Sequence, residues 1–178
     1  MENVNIVVAG VGGQGSIFTA KILGSLYLAR GCDVKANEVH GMAQRGGSIV
    51  TMCKAGERID TPLVQPGTAD YLIGLELSEA VRALMYLKPD GKPFVSSRVV
   101  NIAGYGAYAD PGIFTGLIDA VKIAEEAGNR RCENAVLLGA LSRELDFSID
   151  EWRQSIAANV KPELVDVNMK AFTLGRDV

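Results

Sequence analysis

The sequence predicts an α/β protein: an open sheet, mostly parallel with an antiparallel hairpin, helices on both faces, and a helix-rich C-terminal half. Three observations predict it. An apolar run, Val4 to Ala9, ends in the glycine turn Gly10-Val11-Gly12-Gly13-Gln14-Gly15, and the apolar segment Ile17 to Ala29 follows at once. That is strand, turn, helix. Strand patterns then dominate up to Ser96, and helix patterns dominate after it. Finally, Ser48 to Lys54 alternates, with Ile49, Thr51 and Cys53 opposing Val50 and Met52, and points to antiparallel pairing where a regular dinucleotide fold would have a helix after the second strand and a simple parallel third strand.

The elements read in order as follows. The first strand is Val4 to Ala9. The first helix runs from Gln14 or Gly15 to Arg30; its apolar residues go most of the way round, which predicts deep packing, and Gly31 is a natural stop. Asp33 to Glu38 is a second strand. His40 to Gly47 is too short for a crossover helix, though one turn fits at Met42 to Gln44. Ser48 to Lys54 is a third strand, Ala55-Gly56-Glu57 a turn, and Arg58 to Val64 its hairpin return. Tyr71 to Leu75 is a strand, and Ser78 to Leu87 a helix ended by Lys88-Pro89-Asp90-Gly91. Pro93 to Ser96 is a further strand. Ile102 to Pro111, rich in Gly, Tyr and Ala, reads as a loop. Ile113 to Ala127 and Asn134 to Leu145 read as helices. Ser148-Ile149-Asp150-Glu151 is a capping box, opening a helix with Trp152, Ile156 and Val160 on one stripe. Pro162 suits the first residue of a last helix. No repeat, low-complexity tract or linker interrupts residues 1–178, so one domain is expected.

The 178 residues suit a sizeable core; 48% are hydrophobic and 22% charged. A net charge of −3 without a basic block argues against nucleic acid as a partner. No apolar run is long enough for a bilayer and no signal-peptide pattern opens the chain, so no membrane association and a cytoplasmic location are expected. The three cysteines, Cys32, Cys53 and Cys132, form no C-x-x-C and read as small buried hydrophobes. Three thiolates cannot ligate a Cys₄ cluster, and the single His40 rules out a His-rich site; no metal is expected in this chain.

Two stretches carry chemistry. The glycine turn has the context of a Rossmann-like phosphate site, with a strand before it and a helix N-terminus after it. Its glycines allow close approach of an anion to Gly12, Gly13, Gln14 and Gly15, or they serve only tight strand–helix packing. Glu38 lies about 20 residues beyond the last glycine, where a ribose-binding carboxylate belongs. That spacing keeps a stand-alone NAD(P)-binding reductase open as a reading, although no acid/base set for hydride transfer accompanies His40. The second stretch, Glu38 to Ser48, leaves the carboxyl end of the second strand, on the same sheet edge as the glycine turn. Arg45 offers a planar fork for phosphate or carboxylate, or pairs with Glu38 and pins the loop. Gly46-Gly47 suits a backbone anion nest beside Arg45, and Gln44 and Gln14 add amide donors.

The glycine turn together with Glu38-Val39-His40-Gly41-Met42-Ala43-Gln44-Arg45-Gly46-Gly47-Ser48 resembles the gamma component of the ferredoxin-dependent 2-oxoacid oxidoreductases. Within that family the chain is most similar to the small (beta) subunit of the indolepyruvate enzymes. Glu76-Leu77-Ser78-Glu79-Ala80-Val81-Arg82 after Ala69-Asp70, Asn134 to Ala140, and Asn168 to Gly175 agree in order, so the resemblance spans essentially the whole chain. Ile102 to Pro111 departs from the family pattern. The resemblance implies a gamma-type domain that is inactive alone. Its large partner would hold thiamin diphosphate and iron–sulfur clusters, ferredoxin would act through the complex, and coenzyme A would be co-substrate. It also implies that Gly12 to Gly15 and the loop Gln44, Arg45, Gly46, Gly47, Ser48 are anion contacts, while no catalytic residue is assigned. A non-catalytic assembly module is the remaining reading.

Overall fold

The computed structural model describes residues 3–41, 46–100 and 111–178. Five strands form one sheet in the order β2-β3-β1-β4-β5. They are β1 (Val4–Val11), β2 (Asp33–His40), β3 (Ser48–Gly56), β4 (Ala69–Gly74) and β5 (Leu87–Val95). β1 pairs parallel with β4, and β4 with β5. β3 lies antiparallel between β1 and β2. Four strands therefore point one way and β3 alone opposes them, so the carboxyl ends of β1, β2, β4 and β5 share an edge.

β1 is central because it is apolar on both sides. Ile6, Val7, Val8 and Ala9 are fully buried, and a strand covered on both faces reads as a continuous apolar run. Ile6 and Val8 face the main core with α1 (Ser16–Ala29), and Val7 and Ala9 face a smaller cluster with Met52, Val64, Leu72 and Ala83. α2 (Leu77–Ala83) covers that second side. The main core is closed by α3 (Ala120–Ala127), α4 (Glu133–Leu141), α5 (Ile149–Asn159) and α6 (Val165–Arg176). Every residue of α4 is buried, as a helix apolar all round must be. None of the helices among the described residues is long and apolar enough to cross a membrane.

Several expectations are corrected. The strand Ser48–Gly56 pairs back onto β2, so its hairpin partner precedes it; Arg58 to Val64 forms no strand. Alternation identifies a strand but not its neighbour. α2 is short, a 3₁₀ turn covers Leu84–Tyr86, and β5 begins at Leu87, so Lys88 to Gly91 lie in an irregular part of a strand. Pro89 and Pro93 are accommodated because β5 is an edge strand. Helix covers only Ala120–Ala127 of the expected 113–127, because Ile118 bridges to Ser96 and extends the sheet contact. α4 stops at Leu141 rather than Leu145, and Pro162 opens a 3₁₀ turn that precedes α6. The capping box forms, with Ser148 and Glu151 bonded reciprocally. α1 is packed on most sides, yet Ile17 and Leu28 are about half exposed, because they border a cavity of about 440 Å³ beside β2. Cys53 and Cys132 are buried, whereas Cys32 is only half-buried. The turn expected at Met42 to Gln44 and residues 102–110 of the expected loop lie outside the described residues.

Candidate functional site at the carboxyl edge of the sheet

The glycine turn is held from three directions. Gly12 donates its N–H to the Gly47 carbonyl at 2.9 Å, and Gln14 donates its N–H to Val11 at 3.1 Å. The Gln14 side chain folds back, accepting from the Val11 N–H at 2.7 Å. From α4, Asn134 Nδ2 donates to both the Gln14 and Gly15 carbonyls, at 3.0 and 2.9 Å. Gly13 and Gly15 have φ of 98° and 82°, a left-handed region that glycine enters without cost. No side chain caps α1 and its first turn carries no acidic residue, so its leading amides are available to a ligand.

A cavity of about 420 Å³ opens there, lined by Gly13, Gly15, Ser16, Ile17, Glu38, His40 and Ile49. The Gly12–Gly47 bond brings the two sequence-predicted stretches to one mouth, as their shared edge required. Gly46, with φ of 74°, and Ser48 are exposed, and neither lines this cavity. Ser48 also donates its hydroxyl to Glu79 Oε2 at 2.5 Å. Gln44 and Arg45 lie outside the described residues. Glu38 reaches the start of α1, accepting from Ser16 Oγ at 3.3 Å and from Thr51 Oγ1 at 3.5 Å. It is one strand further from β1 than in a dinucleotide fold, where the second strand pairs directly with the first.

Behind the mouth lies a buried polar network to which sequence reasoning assigned no role. Glu76, Glu79 and Glu133 are each at most 7% exposed. Glu76 accepts from the N–H groups of Glu79 and Val100, at 2.9 and 3.0 Å. Arg82 pairs with Glu79 at 2.8 Å, and Arg98 pairs with Glu133. Cations pair with Glu79 and Glu133 and backbone N–H groups bond Glu76, the usual means of offsetting buried charge, although Glu133 Oε2 is buried without a partner. Their sequence signals were the Glu79–Arg82 helical spacing and the polar pair Glu133-Asn134 at the start of an otherwise apolar helix. Among the described residues, what this edge offers an anion is therefore backbone, not a ring of cations.

The pyruvate ferredoxin/flavodoxin oxidoreductase family model matches residues 5–178. The chain belongs to that family. The indolepyruvate oxidoreductase subunit IorB of Thermococcus kodakarensis is 38% identical, over 98% of this chain and 95% of its own length. Among solved structures, the gamma subunit of the keto/oxoacid ferredoxin oxidoreductase of Geobacter sulfurreducens shares the fold. Its TM-score is 0.76 at 23% identity, over 98% of this chain and 96% of that one. The 2-oxoglutarate:ferredoxin oxidoreductase of Magnetococcus marinus, solved with 2-oxoglutarate, coenzyme A and succinyl-CoA bound, shares it too. Its TM-score is 0.75 at 22% identity, over 99% of this chain and 31% of that one. The resemblance to the gamma component is confirmed, and the chain is a small subunit of an oxoacid:ferredoxin oxidoreductase.

Cys53 and Cys132 are poorly suited to a redox centre. Cys53 is buried among aliphatic side chains, and desolvation pushes its thiol up to about 12; burial also raises Cys132. A cluster needs thiolates.

Proposed function

We propose that this subunit serves an indolepyruvate or broader arylpyruvate enzyme, in which the oxoacid is oxidatively decarboxylated to an acyl-CoA with reduction of ferredoxin. Thiamin diphosphate and the iron–sulfur clusters, carried by a large partner, supply the decarboxylation and electron transfer. This chain completes the site and presents an anion-binding mouth to coenzyme A or to a cofactor phosphate. The contacts are Gly12, Gly13, Gln14 and Gly15 in the turn, and Gln44, Arg45, Gly46, Gly47 and Ser48 in the second stretch.

The observation that carries the reading is the Gly12–Gly47 hydrogen bond, which joins two glycine-rich stretches at the uncapped start of α1. A backbone cradle at a helix N-terminus favours phosphate over neutral groups. Similarity to IorB supports the arylpyruvate substrate, and the coenzyme A in the Magnetococcus marinus structure supports the phosphate ligand. Insertion of β3 between β1 and β2 counts against a stand-alone NAD(P) reductase, because Glu38 no longer flanks β1.

The test is anaerobic co-expression with the large subunit, followed by coenzyme A-dependent dye reduction with indolepyruvate, pyruvate and a branched-chain oxoacid. Activity should require both chains and favour indolepyruvate. Iron and turnover in the isolated chain, or a preference for pyruvate, would overturn the respective part of the reading.

A further inference from the structure

We propose that Asn134 is a positioning residue for this enzyme: it never meets the ligand but aims two backbone donors of the glycine turn into the mouth. The inference rests on the reading that this mouth holds an anionic group of coenzyme A.

Asn134 is the second residue of α4 and is 4% exposed. Side chains on a helix lean towards its N-terminus, which carries this amide to the sheet edge. There it donates to two consecutive carbonyls, those of Gln14 and Gly15, across 120 and 119 residues of chain. A trans peptide is planar, with its N–H opposed to its C=O. The carbonyl of Gln14 shares a plane with the N–H of Gly15, and the carbonyl of Gly15 with the N–H of Ser16. Drawing both carbonyls inwards therefore turns both N–H groups outwards. Gly15 and Ser16 line the 420 Å³ cavity, together with Gly13 and Ile17.

Two further features fit a part retained for aim rather than for packing. A Cβ at Gly15 would lie 2.6 Å from Asn134 Nδ2, so the clamp needs a glycine at that position. In addition, Asn134 Oδ1 is buried with no hydrogen-bond partner. Flipping the amide would set that oxygen against two carbonyl oxygens, so the donor stays on the turn and the acceptor goes unmatched. A buried acceptor without a partner is a cost that native folds rarely carry without a purpose.

The experiment measures KM for coenzyme A, KM for the oxoacid, kcat and Tm in the complex with the large subunit. Asn134→Asp keeps the shape and removes the donor; Asn134→Ala removes the clamp without adding charge, should the Asp variant fail to fold. Ile17→Glu is the comparison. Ile17 is half exposed in the first turn of α1 and borders the mouth; a carboxylate there suits the helix but repels an anion. Loss of the clamp should raise KM for coenzyme A about tenfold, the order of one misaligned hydrogen bond, and leave KM for the oxoacid unchanged. A fall in Tm alone, with both KM values kept while Ile17→Glu still raises KM for coenzyme A, overturns the positioning role and leaves the anion reading intact. If neither Ile17→Glu nor the Asn134 variants move it, the anion reading and the proposal fall together.

Discussion

The Arg30 guanidinium holds the Glu151 carboxylate with two hydrogen bonds, Nε to Oε1 at 2.7 Å and Nη2 to Oε2 at 3.0 Å. The pair joins the end of α1 to the first turn of α5, and Arg30 also lies 4.0 Å above the Phe147 ring. Glu151 simultaneously accepts from the Ser148 N–H at 2.7 Å to complete the capping box. Arg30, then the two Ser148 bonds, hold its carboxyl down at about 2, against 4.5 ordinarily.

A pH dependence follows from that depression. A carboxylate with a lowered folded pKa contributes stability that is fully present above its unfolded pKa and is lost as pH falls through the folded one. Glu151→Gln keeps a capping-box side chain but removes the charge. The Tm difference between the native chain and Glu151→Gln should be full above pH 4.5 and vanish towards pH 2. A difference that persists unchanged at pH 2 contradicts the assignment.

α4 and α6 approach each other on two glycines. A Cβ at Gly139 would lie 2.0 Å from the Phe172 carbonyl oxygen, and one at Gly175 would lie 2.1 Å from that of Val136. Alanine in a helix is ordinarily about 1 kcal/mol better than glycine. Here the sign should reverse, because backbone cannot yield as a flexible side chain can, and Gly139→Ala should cost about 1–3 kcal/mol. Gly24→Ala in α1 is the contrast: its Cβ would meet Val34 at an ordinary 3.5 Å, and a gain of about 0.5–1 kcal/mol is expected. Urea denaturation of both variants reads the two signs.

Trp152 is fully buried, 5.1 Å from the Phe172 ring and 6.3 Å from that of Phe147. Its indole Nε1 has no hydrogen-bond partner. Trp152→Ala should cost about 3–5 kcal/mol. Trp152→Phe should cost less than half of that, since it keeps most of the ring and removes an unsatisfied donor. Equal losses in equilibrium unfolding would contradict this.

Thiol chemistry should separate the cysteines. Cys53 and Cys132 are 1% and 3% exposed, and desolvation raises both thiols. Only thiolate reacts. At pH 8 the native chain should titrate no more than one thiol with a disulfide reagent, and all three in denaturant. Fast native reaction of two or three would contradict the burial.

The local features of this chain were legible in its residues. The capping box at Ser148, the stop at Gly31 and the glycine turn after Val4 to Ala9 each rest on neighbours within a few positions, so side-chain type and spacing determine them. The same holds for the shared edge of the two glycine-rich stretches, which follows from strand direction. Lys88 to Gly91 misled because edge placement, not propensity, decides whether prolines enter a strand. Only the tertiary structure decided that β3 separates β1 from β2, because an alternating strand is satisfied by either neighbour. It alone brought Asn134 onto Gln14 and Gly15 and gathered Glu76, Glu79, Arg98 and Glu133 behind them. Those contacts join residues 24 to 120 positions apart, and their partners are set by how the helices pack on the sheet rather than by any periodicity within one segment.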